Sequence, residues 1–303
     1  MSFARTVLSH GVAMLPPMVV EPSGSSFSVT LGLSQTSART VSVVPVESAR
    51  AALTTAGRNP GRLQRMRLLA LVTHILRLDE DLSTFYELCS EDPALSWAIQ
   101  GAGRLMRSAT VFEEVVKTIC TTNCAWSATE RMVGALVEHL GTAAPGPTAP
   151  GPAGRAFPSP QAMAEAGEGF YREVARTGYR GRYLLALARS VAAGEIDLEE
   201  IGAAPREDVP DEEILARLTA LPGVGPYAAA HIMMMMGRYS QLVLDSWTRP
   251  TYARLAGKKT VKDASIVRRF RRYGPYAGLA FWLFLTRDWI AEPDAGSTSL
   301  LTR

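Results

Sequence analysis

The sequence predicts a mainly α-helical protein with a small antiparallel β subdomain at its N-terminal end, and three observations predict it. Apolar residues recur at helical spacing over most of the chain. Two short stretches before residue 45 alternate apolar and polar. The segment Leu221-Pro222-Gly223-Val224-Gly225-Pro226 forces a tight hairpin between two helices. At 303 residues the chain is long enough to bury a sizeable core in two compact units. A charged share of 20% and a hydrophobic share of 47% are those of an ordinary globular protein, which argues against a disordered or membrane-embedded body. No signal peptide and no bilayer-spanning apolar run is evident, so a cytoplasmic protein is expected. The net charge is only +3 (32 basic against 29 acidic residues), so a polyanion must be met by local clusters rather than bulk charge. Cys89, Cys120 and Cys124 are too few and too odd in number for a disulfide framework. Cys120 and Cys124 also lack neighbouring ligands for a metal.

Taken in order, residues 26–33 and 39–44 alternate as half-buried strands do, between the Pro and Gly punctuation of Pro16-Pro17 and Pro22-Ser23-Gly24. Helical patterns follow over 62–76 and 82–89, with Leu63, Met66, Leu69, Leu71 and Ile75 near helical spacing. These features divide the chain into a β-rich subdomain over 1–76, a helical body over 77–290 and a disordered tail over 291–303. Within the body, an amphipathic helix begins at Val111, meets a polar run around Asn123, and resumes through Met132, Leu136 and Leu140. Residues 141–156 form a Pro/Gly/Ala insert with little to bury, expected to be a mobile surface loop. Helix starts follow at Phe157-Pro158-Ser159 and in Gly178-Tyr179-Arg180-Gly181-Arg182-Tyr183. The helix before the hairpin, 210–218, has Asp211 as its candidate N-cap. After the hairpin, Pro226 suits the first turn of the next helix. A helix near 250–255, a basic run from Lys258 to Arg272 and an apolar last core helix over 273–282 complete the body.

The hairpin carries chemistry. Gly223, Val224 and Gly225 offer backbone N–H groups with little side chain in front of them, at the positive end of a helix dipole, which is a phosphate-binding surface. Downstream, Asp245 in Val243-Leu244-Asp245-Ser246-Trp247 is either a functional carboxylate or the N-cap of the following helix.

Hairpin and Asp245 together resemble the helix-hairpin-helix element of the HhH-GPD superfamily of DNA glycosylases, and the likeness extends over about 76–289. The resemblance implies a helix-hairpin-helix glycosylase fold with an N-terminal β subdomain, and double-stranded DNA containing a damaged or modified base as partner. It also implies a monomer, nucleoid-associated if bacterial. Asp245 would be the catalytic carboxylate, stabilising positive charge on the sugar as the N-glycosidic bond breaks. Members that also cut the strand place a Lys where Tyr227 stands here. A phenol forms no imine, so a monofunctional enzyme using water is implied. Asn123 occupies the place of a residue that enters the vacated base stack; a helix-capping Asn is the other reading. His231 is a base contact or a core histidine, Trp126 and Trp247 are stacking surfaces or core, and Met233 to Met236 read as core. Arg180, Arg182 and the basic run meet phosphate or simply face solvent. The family further suggests a monovalent cation (Na⁺ or K⁺) on the carbonyls of Thr219, Leu221 and Val224. No other cofactor is required, and since no cysteine follows Cys124 the iron–sulfur loop of some relatives is absent. A bifunctional glycosylase/lyase and a non-catalytic DNA-binding protein are the alternatives. The excised base stays open among alkylated purines, mismatched bases and bulky modified pyrimidines.

Overall fold

The computed structural model describes residues 1–46, 50–146 and 151–290. The two alternating stretches become the central strands of a four-stranded antiparallel meander, β1 (Met18–Val20), β2 (Phe27–Ser34), β3 (Ser37–Val46) and β4 (Arg50–Thr55). Phe27 lies opposite Val43 and Val29 opposite Val41, and these residues with Leu31 make the sheet's buried face. β1 is too short to show a period, and β4 is exposed along almost its whole length, so neither leaves an alternating pattern to read. A short helix, α1 (Phe3–Val7), precedes the sheet where no helix was expected; Ser2 caps it.

α2 (Arg62–Ile75) covers the sheet with Leu68, Val72 and Ile75. Spacing had pointed to Leu63, Met66 and Leu69, but these are exposed (81%, 58% and 57%), so the helix turns its other face inward. The body follows as α3 (Ser83–Ser90), α4 (Val111–Thr121), α5 (Trp126–Leu140), α6 (Pro160–Glu165), α7 (Gly167–Gly169), α8 (Arg180–Ala192) and α9 (Leu198–Ala203). It ends with α10 (Asp211–Thr219), α11 (Pro226–Met235), α12 (Thr248–Leu255), α13 (Asp263–Phe270), α14 (Ala277–Leu285) and α15 (Arg287–Ile290).

The body has two apolar cores, and α11 belongs to both. Ala228, Ala229, Ile232 and Met233 pack among α4, α5, α8 and α10, whereas Ala230, Met234 and Met235 pack among α3, α12, α13 and α14. Met233, Met234 and Met235 are therefore core, as their sequence suggests, and α11 has no solvent-facing stripe from Ala228 onward. α4 is also buried on every side from Val111 to Cys120. Its polar face is covered too. Lys117 Nζ pairs with Glu113 Oε1 at 2.7 Å and donates to Leu15 O, and Glu114 accepts from Ser108 N.

Three expectations change. Asp211 is not the N-cap of α10. Pro210 holds that position, and the Asp211 carboxylate instead accepts from Arg238 at 2.6 Å, because that largely buried guanidinium needs a counter-charge. The insert at 141–156 is pinned at its base: Ala143 bridges Arg155, and Thr142 Oγ1 donates to Gln35 O. Its tip, 147–150, and the tail, 291–303, lie outside the described residues. Finally, the chain before β1 does not stay in the β subdomain. Val12 and Leu15 join the body's core, which carries residues 10–12 to the site described next. Among the described residues no helix is long and apolar enough to cross a membrane.

Candidate active site

The two cores meet at a cleft of about 580 Å³ whose lining includes Asn123, Trp126, Tyr227, His231, Asp245 and Trp247, so residues far apart in sequence share one cavity. Asp245 enters from the loop before α12. Its Oδ1 accepts from Trp247 N at 2.8 Å and Thr248 N at 2.6 Å, while Thr248 Oγ1 accepts from Asp245 N at 2.8 Å. This reciprocal cap satisfies amides that open α12 and fixes the carboxylate by one oxygen. The capping reading of Asp245 is thus seen in its bonds, and the same bonds hold a residue that lines the cleft.

Tyr227, in the first turn of α11, lies between the two cores, with His231 one turn on at a ring separation of 6.4 Å. Burial, with a smaller push from the Asp245 carboxylate, raises its phenol's pKa, so the phenol is neutral. His231 is 5% exposed and bonded through Nδ1 to Thr118 Oγ1 at 3.2 Å; it is thus both a core residue and part of the cleft wall. Burial lowers its pKa, against smaller opposing effects of Glu114 and Asp245. Trp247 packs on Trp282 and Trp289 at 5.8 and 5.4 Å, making an aromatic wall. Trp126 faces Gly11, where a Cβ would come within 3.3 Å of the indole, tight enough that the ring would have to shift slightly.

Sequence reasoning missed His10 and Gly11. His10 is 2% exposed, its ring lies 6.3 Å from that of His231, and burial brings its pKa down to about 4. No local pattern flags a segment that reaches the cleft only through tertiary packing.

The side chains expected at the rim, those of Asn123 and Arg182, are exposed there, with one correction at Arg180. Asn123 is exposed at φ +47° and donates through Nδ2 to Tyr179 Oη at 3.3 Å. Tyr179 stands edge-on to Tyr183 at 6.3 Å, and Tyr183 packs against Gly223, where a Cβ would come within 2.9 Å of it. Gly223 has φ +79°, the left-handed conformation glycine adopts at little cost. Asn123, Tyr179, Tyr183 and the hairpin thus form one continuous edge. The aromatic members were not singled out in the sequence, although they flank Arg180 and Arg182 directly.

Arg182 stays outward over the Tyr183 ring at 4.7 Å. Arg180 does not face phosphate: it is 6% exposed, and its guanidinium donates to the carbonyls of Thr122 and Thr177. The chain leaves α4 at Thr122, and its carbonyl needs a donor that the next turn of helix would otherwise supply.

In the hairpin, Leu221 and Val224 are buried anchors, and the amides of Gly223 and Gly225 have no acceptor among the described residues. The carbonyls of Thr219 and Val224 likewise accept nothing there, whereas Leu221 O takes Val224 N at 3.2 Å. Two unengaged carbonyls and one with a spare lone pair fit a monovalent cation. In the basic run Lys258, Lys259, Lys262, Arg268, Arg269 and Arg271 are exposed, while Arg272 is tied to Asp92 and Tyr273.

This architecture is a fold shared with solved DNA glycosylases. It is similar to a 3-methyladenine DNA-glycosylase from Archaeoglobus fulgidus, with TM-score 0.70, 21% identity and 94% of each chain covered. It is also similar to the 8-oxoguanine glycosylase/lyase of Clostridium acetobutylicum in its apo form, with TM-score 0.65, 21% identity and 86% and 85% of the two chains covered. The same Clostridium enzyme in complex with double-stranded DNA containing cytosine opposite 8-oxoguanine matches with TM-score 0.65. No protein-family model matches the chain, and no curated protein does.

Proposed function

We propose that the protein is a monofunctional DNA glycosylase, acting as a monomer on duplex DNA. It flips a damaged or modified base into the cleft, hydrolyses the N-glycosidic bond and leaves an abasic site. The observation that carries this reading is the capped Asp245 carboxylate, set beside Tyr227 and an aromatic wall in a cleft of about 580 Å³. A base inside duplex DNA cannot reach such a group, so extrusion is required, and the aromatic faces repay part of the lost stacking. Grip on the backbone falls to the free hairpin amides, with a Na⁺ or K⁺ on the Thr219, Leu221 and Val224 carbonyls, and to Arg182 and the exposed lysines and arginines after Gly257. Asn123, on the edge it forms with Tyr179, is suited to occupy the emptied place in the stack.

As the C1′–N bond breaks, positive charge develops on the sugar. The Asp245 carboxylate opposes it and orients water for attack at C1′. Monofunctional chemistry is supported by Tyr227, because a neutral phenol offers no amine for an imine, and no lysine of the described residues lines the cleft. The test is borohydride trapping during excision from oligonucleotides that each carry one modified base. The expected product is an intact abasic strand that breaks only with alkali or heat, with no protein–DNA adduct. A robust adduct would overturn the water-based assignment.

A further inference from the structure

His231 presents its two ring nitrogens to different surroundings. Nδ1 lies 3.2 Å from Thr118 Oγ1, across the contact between α4 and α11. Thr118 is 0% exposed, and Nδ1 is its hydroxyl's only hydrogen-bond partner among the described residues. A buried hydroxyl has one proton to place, and leaving it unbonded is costly. Thr118 therefore donates to Nδ1, and the neutral imidazole carries its own proton on Nε2. Nε2 has no partner among the described residues, yet the ring lines the cleft that holds Asp245. The cleft wall thus carries an uncharged N–H donor that no protein acceptor among the described residues engages.

We propose that His231 is a catalytic residue whose Nε2–H hydrogen-bonds the departing base and stabilises the negative charge that gathers there. This rests on the glycosylase reading above. The C1′–N bond breaks heterolytically and its electron pair stays with the base. Asp245 faces the cationic sugar, water adds to C1′, and the proton that water releases ends on the base. The imidazole is neutral before and after; it lends a hydrogen bond and loses no proton. Such a donor helps only a base that would leave as an anion. A purine alkylated at N3 or N7 is already cationic, departs neutral and needs no help. The substrate class assigned to this cleft is therefore an uncharged modified base with a ring nitrogen or carbonyl that accepts from Nε2.

The test is single-turnover base release by wild type, His231→Phe and His231→Gln. Duplexes of one sequence carry either 7-methylguanine, which is cationic, or one uncharged base from uracil, hypoxanthine and 8-oxoguanine. His231→Phe keeps the ring volume and removes the donor; it is expected to slow release of uncharged bases by about 10- to 100-fold and of 7-methylguanine by less than about threefold. His231→Gln, whose amide reaches close to the Nε2 position, is expected to regain most of the loss. Where 7-methylguanine is not released at all, the Phe/Gln difference on the uncharged base decides alone. Equal losses on both kinds of base, wild-type rates in the Phe variant, or a wild-type protein that releases only 7-methylguanine overturns the proposal. Failure of the wild type on every duplex removes the glycosylase reading, and this inference with it. Binding to a duplex with a stable abasic analogue, followed by fluorescence anisotropy, reports whether each variant is folded.

Discussion

Asp245 and Asn123 both reach the cleft from loops between helices, but the two loops are held in opposite ways. Asp245 secures itself: its own Oδ1 takes two amides at the start of α12, and Thr248 returns the bond. Asn123 sits at φ +47° in a loop secured from outside, by the buried Arg180 guanidinium on the Thr122 carbonyl. Among the described residues its own amide bonds only to the exposed Tyr179. A self-capped loop keeps its functional group in place for as long as the group is present. A remotely clamped loop leaves its side chain free to exchange partners, which suits the role proposed for Asn123, that of leaving Tyr179 for DNA.

The comparison can be broken most severely at Asp245. Asn in its place still accepts from both amides through its side-chain oxygen, so Asp245→Asn should unfold within about 1 kcal/mol of wild type. Single-turnover base release should nonetheless fall by about 10³-fold, because the charge acts in the transition state. Unchanged release would mean that Asp245 is a cap and nothing more. The next largest effect is expected from Arg180→Met, which strips the Thr122 carbonyl of its buried donor. Urea unfolding should show a loss of about 3 kcal/mol, and affinity for damaged duplex should drop about tenfold, with the Asp245 loop unaltered. A variant as stable as wild type would show that Asn123 is not held from Arg180. The mildest change is Asn123→Gly, which tolerates φ +47° without strain. Stability should stay within about 1 kcal/mol, since glycine's entropy cost offsets the relief, while base release slows by about tenfold. Loss of stability there would assign the side chain a structural role and collapse the difference between the two loops.

What the sequence made legible follows the range of the interactions concerned. The hairpin is local: Pro222, Gly223, Gly225 and Pro226 each impose backbone geometry on their immediate neighbours, and they are found where expected. β2 and β3 are likewise legible because a half-buried strand alternates. The errors arise where a distant partner decides. Asp211 precedes a helix as an N-cap would, but Arg238 claims its carboxylate. Arg180 has the sequence context of a phosphate contact, yet a carbonyl on another helix turns it inward. Leu63, Met66 and Leu69 keep helical spacing, but the sheet takes the opposite face of α2. In the cleft, Asp245, Tyr227 and His231 were readable because they lie on or just after the hairpin helix. His10 and Gly11 were not, since only the completed fold brings the N-terminal segment to them.

The position of α11 in both cores bears on which guests the cleft can take. Proteins that admit bulky guests commonly do so by swinging two lobes about a hinge, which needs a seam that can part. Here the seam is occupied by a helix with Ala228, Ile232 and Met233 sunk in one lobe and Met234 and Met235 in the other. Parting the lobes would expose these side chains and forfeit about 2–3 kcal/mol for each large one uncovered. The walls are therefore fixed, and size selection passes to the parts that are not spliced into both lobes. Those are the Asn123 turn and the Trp126 indole, where an exchange of one side chain for a smaller or larger one can reset the guest without disturbing the frame.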